Sequence, residues 1–266
     1  MFEANELAID TPALAVRYHL APWDASTVGG PVAVISGIEV RDRDRAPDAF
    51  AAFRDWCIAG GVSLVSCKLD HDRLVECGFL ESQEFRFIEL NYRPELAGLQ
   101  SSDAVAPNEY MVDVATAEDE HLIAEIAGQI FDAGRFHRDP LIDPRVGDLR
   151  YRRWVSNAFL NPRQTVLKCR RGDEVKAFFV VEAPAPDRRF WSLVGLAPGL
   201  GGRGVGTRIW RAMLQWHRAE GADHVSTSIS SLNAPVFNLY VKLGFRFPSP
   251  TISLHWCPFG RIEAPS

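Results

Sequence analysis

Pro198-Gly199-Leu200-Gly201-Gly202-Arg203-Gly204-Val205-Gly206-Thr207 sets five glycines between an apolar strand pattern, Arg189 to Leu196, and an amphipathic helix pattern running to Gly221. Glycine lets the backbone turn with positive φ and come close to a ligand, while the unpaired N–H groups of a first helical turn point at it. Such a junction holds phosphate, and the rest of the chain decides whose. Gly199 to Gly204 fits G-x-G-x-x-G, the dinucleotide fingerprint, which also requires an acidic residue at the end of the next strand, about 20 positions on. Asp223 precedes its strand and falls at the wrong end. A P-loop fails because no Gly-Lys-Ser/Thr follows.

Composition narrows the classes. The chain has 266 residues, 47% hydrophobic and 24% charged, with a formal charge of −5. That is enough apolar sequence for one large domain or two small ones, and no basic face for a general nucleic-acid binder. The acidic start, Met1 to Glu6, lacks a signal-peptide pattern, and no apolar run reaches membrane-spanning length, so a cytoplasmic protein is expected. Cys57, Cys67, Cys77, Cys169 and Cys257 are odd in number and contain no C-x-x-C pair, which favours buried free thiols over disulfides or a metal site.

The small and polar stretch between Tyr92 and Asn108 reads as a linker (93–108) between an N-terminal module (1–92) and a second module (109–266). In the second, a strand from Glu109 to Val114 precedes a helix capped by Thr116, then a helix from Val146 to Phe159. Three strand patterns, Gln164 to Arg170, Val175 to Glu182 and Arg189 to Leu196, predict an antiparallel meander. After the glycine run follow a helix, a strand (His224 to Ile229), a helix (Ala234 to Leu243) and a strand (Phe247 to Trp256). The fold class is α+β with a mixed, mostly antiparallel sheet. The first module echoes the back half of the second: helix, Gly60-Gly61, strand, helix, Gly78-Phe79, strand. On that alignment Leu74 takes the place of Tyr240.

From Gly201 the run reads Gly-Gly-Arg-Gly-Val-Gly, which resembles the Q/R-x-x-G-x-G/A signature of the GCN5-related N-acetyltransferases, with Gly201 standing where the pattern carries Gln or Arg. Asn233 to Phe245 is similar to the family's N-x-x-A-x-x-x-Y-x-x-x-G-F segment. The resemblance implies acetyl-CoA as co-substrate and no metal. It implies that Gly201, Gly202, Arg203, Gly204, Val205, Gly206 and Thr207 hold the pyrophosphate, that Leu196 contacts the pantetheine arm and acetyl group, and that Asn233 and Tyr240 complete the coenzyme site. Three further stretches are similar to the dTDP-fucosamine acetyltransferase family: Trp23 to Val32, Phe131 to Pro140, and Tyr151 to Ala158. They imply a nucleotide-linked amino sugar as acceptor; the echo of element order within the chain reads as a degenerate half-copy of the fold or as shared supersecondary grammar without common ancestry.

Acyl transfer to an amine needs a neutral nucleophile, donors for the developing oxyanion and a proton for the departing thiolate. A tyrosine phenol, with ordinary pKa near 10, is protonated at neutral pH and suits the last task, which the family gives to Tyr240. The Leu196 N–H is the candidate oxyanion donor. Glu81, Glu84, His137, Asp139 and Asp143 are all candidate bases. Arg135, Phe136, His137 and Asp139 place cations, an aromatic face and an acid within five residues, a combination that suits an anionic sugar nucleotide. Other acceptors, such as an aminoglycoside, a polyamine or a protein amine, stay open, as do a non-catalytic acyl-CoA-binding role and a homodimer.

Overall fold

The structure is a computed structural model describing residues 6–101, 109–201 and 204–265. The chain opens with β1 (Leu7–Asp10), β2 (Leu14–Leu20), α1 (Pro22–Val28), β3 (Val32–Val40), α2 (Ala46–Ala59), β4 (Leu64–Asp70), α3 (Leu74–Ser82) and β5 (Arg86–Tyr92). It continues through β6 (Glu95–Ala97), β7 (Met111–Val114), α4 (Glu120–Ile130), α5 (Arg135–Arg138) and α6 (Pro144–Leu160). Next come β8 (Gln164–Arg171), β9 (Glu174–Ala185), β10 (Arg188–Leu196), α7 (Val205–Ala219), β11 (His224–Thr227), β12 (Ile229–Ser230), α8 (Ala234–Lys242) and β13 (Thr251–Trp256). No helix among the described residues is long and apolar enough to cross a membrane.

These elements form two compact units that do not follow chain order. The first contains residues 1–91, 133–147 and 249–266; the second contains 92–132 and 148–248. The sequence reading kept 109–266 together, whereas two of its segments group with the first unit. The reason is strand pairing and packing. β13 lies between β4 and β5, antiparallel to both, with Leu254 opposite Cys67 on one side and Phe87 on the other. Alternation makes β13 two-faced: Ile252, Leu254 and Trp256 enter the core built on α2, while Thr251, Ser253 and His255 line the opposite face, also buried.

In the first unit, β1, β2 and β3 form an antiparallel meander, and α2 carries the chain from β3 to a parallel β4. α2 forms because Ala46, Phe50, Phe53 and Cys57 make one apolar stripe, with Pro47 and Asp48 in its first turn and Gly61 at φ 61° beyond its end. A second cluster gathers Val28, Val32, Leu64, Phe136, Ile142, Val146 and Ile262. Burial pushes the thiols of Cys57 and Cys67 up to about 12, so both behave as core hydrophobes.

The second unit holds a six-stranded sheet in the order β6-β11-β10-β9-β8-β7. The expected meander is present, since β8, β9 and β10 pair antiparallel in turn. α7 connects β10 to the parallel β11. The stretch read as linker is not featureless: Glu95–Ala97 pairs antiparallel with His224–Ser226, and Leu99 is buried. Its prolines and small residues concealed two leucines that pack; residues 102–108 lie outside the described residues.

The echo between the modules holds at the level of element order, but its register differs. Gly78 sits inside α3, which runs on to Ser82. The turn that matches Gly244-Phe245 is Glu84-Phe85: Glu84 has φ 70° and Gly244 φ 85°. The Phe85 N–H donates to the Leu80 carbonyl as the Phe245 N–H donates to that of Tyr240, each at 3.0 Å. Leu80, not Leu74, is therefore the counterpart of Tyr240. Leu254→Ala, at the middle of the inserted strand, is expected to destabilise the first unit by about 2–5 kcal/mol. Urea denaturation checks the size, and hydrogen exchange should show β4 and β5 losing protection before β8 and β9.

Candidate active site

The site begins where two strands stop pairing. β10 and β11 run in register from Arg188 opposite His224 to Trp191 opposite Thr227. β11 ends there, while β10 continues to Leu196 with β9 on its other side. A bulge falls between Trp191 and Leu193, and the Ser192 hydroxyl donates to the Val180 carbonyl at 3.3 Å. Beyond it, Leu193, Val194, Gly195 and Leu196 pair with Val180, Phe179, Phe178 and Ala177. The Ala197 N–H donates to Lys176 at 2.9 Å. In an antiparallel ladder the direction alternates, so the N–H groups of Leu196 and Val194 point away from β9, toward the edge that β11 has left. Gly195 permits this geometry: a Cβ there would come within 2.3 Å of Ile130 and 2.5 Å of Phe178.

The glycine turn follows directly. Gly199 and Gly204 have φ of 77° and 72°, which only glycine adopts without strain, and a Cβ at Gly199, Gly201 or Gly204 would meet nothing within 4 Å. Gly204 is the N-cap of α7, and the Arg208 N–H is bonded to its carbonyl at 3.2 Å. Val205, Gly206 and Thr207 thus form the first turn, whose N–H groups have no intrahelical acceptor and carry the positive end of the helix dipole. Gly202 and Arg203 lie outside the described residues. A Cβ on Gly206 would touch Leu239 at 3.5 Å and Leu196 at 3.7 Å, so the end of β10, the start of α7 and the middle of α8 converge there.

α8 starts as its sequence predicts. The Asn233 side chain accepts the Val236 N–H at 3.2 Å, and Pro235 occupies the first turn. Tyr240 is only 1% exposed and packs against Trp191, Trp210 and Phe245 at ring separations of 6.4, 6.3 and 4.7 Å. Burial pushes its pKa well above the ordinary 10, and the neighbouring Trp210 and Thr227 side chains pull against that rise, so the phenol is protonated across the physiological range. Thr227, the last residue of β11, donates its hydroxyl to the Trp191 carbonyl at 2.8 Å. The Trp191 indole N–H donates to His217 Nε2 at 2.8 Å, with both residues fully buried. Sequence reasoning passed over Gly195, Trp191, Trp210, His217 and Thr227. An isolated glycine in a strand was a readable sign of close approach, but nothing in the spacing of the others told them from core.

The segment 135–139 belongs to the first unit. Phe136 is core, and its ring meets His255 edge-on at 5.8 Å. Asp139 is buried: its Oδ1 accepts from Arg86 and from the Leu141 N–H, and its Oδ2 pairs with His255 Nδ1, each at 2.9 Å. Burial pushes its pKa up, but the bonds from His255 and Leu141 and the Arg86 charge outweigh that and hold it below the usual carboxylate value. Arg135 and His137 stay partly exposed, with the Arg135 guanidinium over the Phe136 ring at 5.3 Å. Two other candidate bases are committed: Glu84 pairs with Arg54 at 2.8 Å, and hydrogen bonds from Arg145 hold Asp143 down to about 2.

A sequence profile described as the acetyltransferase (GNAT) family matches residues 80–245. The chain belongs to that family. Family members use acetyl-CoA, and the glycine turn, the opened edge of β10 and the capped α8 all fall within the matched span. The chain is 35% identical over 74 residues to mycothiol acetyltransferase of Corynebacterium glutamicum, a match covering 28% of this chain and 25% of that protein. It is 33% identical over 54 residues to streptothricin acetyltransferase of Streptomyces lavendulae, covering 20% and 29% respectively. The chain thus spans little more than a quarter of the curated relatives it matches. A GCN5-related N-acetyltransferase from Kribbella flavida shares the fold, with a TM-score of 0.60, 16% identity and coverage of 94% of this chain and 89% of that one.

His217 makes an acid-sensitive core. Burial, with the Arg189 charge, lowers its pKa to about 3, so the folded ring stays neutral while the unfolded one, near 6.5, takes up a proton. The unfolded state binds more protons between those values, so the contribution is complete above 6.5 and lost as pH falls toward 3. Urea denaturation between about pH 5.5 and pH 4.5 should show His217 contributing a slope of about 1.4 kcal/mol per pH unit. His217→Gln, which keeps an acceptor for Trp191, should lower that slope by about one proton.

Proposed function

We propose that this chain is an acetyl-CoA-dependent N-acetyltransferase that acylates the amino group of a nucleotide-linked amino sugar. The observation that carries the acyl-transfer reading is the edge of β10 left open after Trp191, with the Leu196 N–H directed toward it and a glycine-started helix beside it. In this reading the N–H groups from Gly201 to Thr207 hold the pyrophosphate of acetyl-CoA, including Gly202 and Arg203, whose part rests on the sequence pattern. Gly201 leaves its backbone uncovered, with nothing within 4 Å of the place a Cβ would take. The Leu196 N–H stabilises the oxyanion, Asn233 fixes the start of α8, and Tyr240 gives its proton to the leaving thiolate.

The acceptor class rests on the three stretches similar to the dTDP-fucosamine acetyltransferases. Arg135 and His137 are the members of the 135–139 set with exposed surface for an anionic sugar nucleotide; Phe136 and Asp139 support them from within the first unit. A second reading, acetylation of an antibiotic amine, is favoured by the local similarity to streptothricin acetyltransferase.

Thiol release from acetyl-CoA with dTDP-4-amino-4,6-dideoxygalactose, kanamycin, spermidine and a lysine peptide separates the readings; the amino sugar should give the highest kcat/KM. Tyr240→Phe should lower kcat by about 100-fold or more with acetyl-CoA affinity retained, and unchanged turnover would remove the acid role. Arg135→Ala should raise the KM for the sugar nucleotide more than that for acetyl-CoA, and equal effects on both would count against its assignment.

A further inference from the structure

Trp210 is an interior residue with an unused polar atom. It lies on α7, two turns into the helix from Gly204, and is 3% exposed, its ring edge-on to Phe179 at 5.1 Å and to Tyr240 at 6.3 Å. Packing of that kind needs only an aromatic ring. Among the described residues its indole N–H makes no hydrogen bond of regular geometry, although it lies near enough to the Tyr240 oxygen to favour a negative charge there. Buried donors are nearly always paired in folded proteins, and one left unpaired needs an explanation. Thr227 is the other side chain that favours charge on the Tyr240 oxygen. The Thr227 hydroxyl proton is given to the Trp191 carbonyl at 2.8 Å, so Thr227 is already committed as a donor. The Trp210 N–H is therefore the donor beside Tyr240 that has no regular partner elsewhere.

We propose that Trp210 is a positioning residue for proton transfer from Tyr240, its indole N–H completing a hydrogen bond to the phenol oxygen as negative charge develops there. This inference rests on the reading of Tyr240 as proton donor. As the amine nitrogen bonds to the thioester carbon, the C–S bond breaks and sulfur keeps its electron pair. The Tyr240 O–H proton passes to sulfur, giving the free thiol. The proton lost by the acylated nitrogen returns through solvent to the phenolate, so protons balance over one turnover. During the interval in which Tyr240 carries charge, the Trp210 N–H acquires the partner it lacks in the resting protein. A donor aimed at charge that exists only during reaction lowers the barrier without tightening substrate binding.

The test uses the full chain with acetyl-CoA and hydroxylamine, a small nucleophile neutral at pH 7, with thiol release as the readout. Trp210→Phe keeps an aromatic ring and removes the N–H. Replacement of Trp210 by 3-benzothienylalanine keeps shape and volume and exchanges N–H for sulfur, which guards against a folding defect in the first variant. Both are expected to lower kcat about ten- to a hundred-fold with the KM for acetyl-CoA within two-fold of the parent. In a Tyr240→Phe background the same replacements should cause no further loss, because the oxygen they serve is gone. Retained kcat in the benzothienyl variant, or a full additional loss in the Tyr240→Phe background, overturns the proposal. Full turnover by Tyr240→Phe alone, or no enzyme-dependent thiol release by the parent, overturns it together with the reading beneath it.

Discussion

The rest of the second unit depends on the point where β10 and β11 part company. Two parallel strands joined by a helix would ordinarily pair along their full length; here pairing ends at Trp191 and Thr227. Three bonds hold that end in place: Thr227 to the Trp191 carbonyl, Trp191 to His217, and Ser192 in the bulge to Val180. The bulge resets the register of β10, and the hydrogen-bonding direction of the following residues sends the N–H groups of Val194 and Leu196 to the vacated edge. An unpaired strand edge next to a helix start is costly unless something binds it, which is why such a feature marks a ligand site.

Burial at this junction keeps His217 and Tyr240 uncharged. His217 is neutral because no water reaches it, and its Nε2 is therefore an acceptor for Trp191. Tyr240 is protonated for the same reason, since burial disfavours its phenolate. In the first unit, Asp139 is charged and His255, with its pKa lowered chiefly by burial, is neutral, a pair that ties the 133–147 segment to β13 rather than presenting a free acid.

Much of the second unit was legible in the sequence. The meander, α7 and α8 follow from alternation, helical stripes, Asn233 and the bounding glycines, all of them local signals of a few residues. What was illegible was long-range. β13 has the alternation of a strand, but nothing in Thr251 to Trp256 names its neighbours, and β4 lies far back in the chain. The Gly78-Phe79 pair looked like a helix end because its composition matches Gly244-Phe245. Only the backbone places the turn at Glu84, the one residue other than glycine that takes positive φ among the described residues. Phe136 and Asp139 read as ligand-binding types by chemistry, and the fold turns both inward.

By itself the sequence determined the family, the class of fold and the glycine turn, because backbone freedom, helix caps and apolar periodicity are local and leave their mark in residue order. Tertiary structure alone decided that the C-terminal strand completes the N-terminal sheet, that β11 leaves β10 after Thr227, and that the Trp210 ring packs against Tyr240. Each of these is a contact between residues distant in the chain, set by which surfaces bury best together, and an order of residues does not record that.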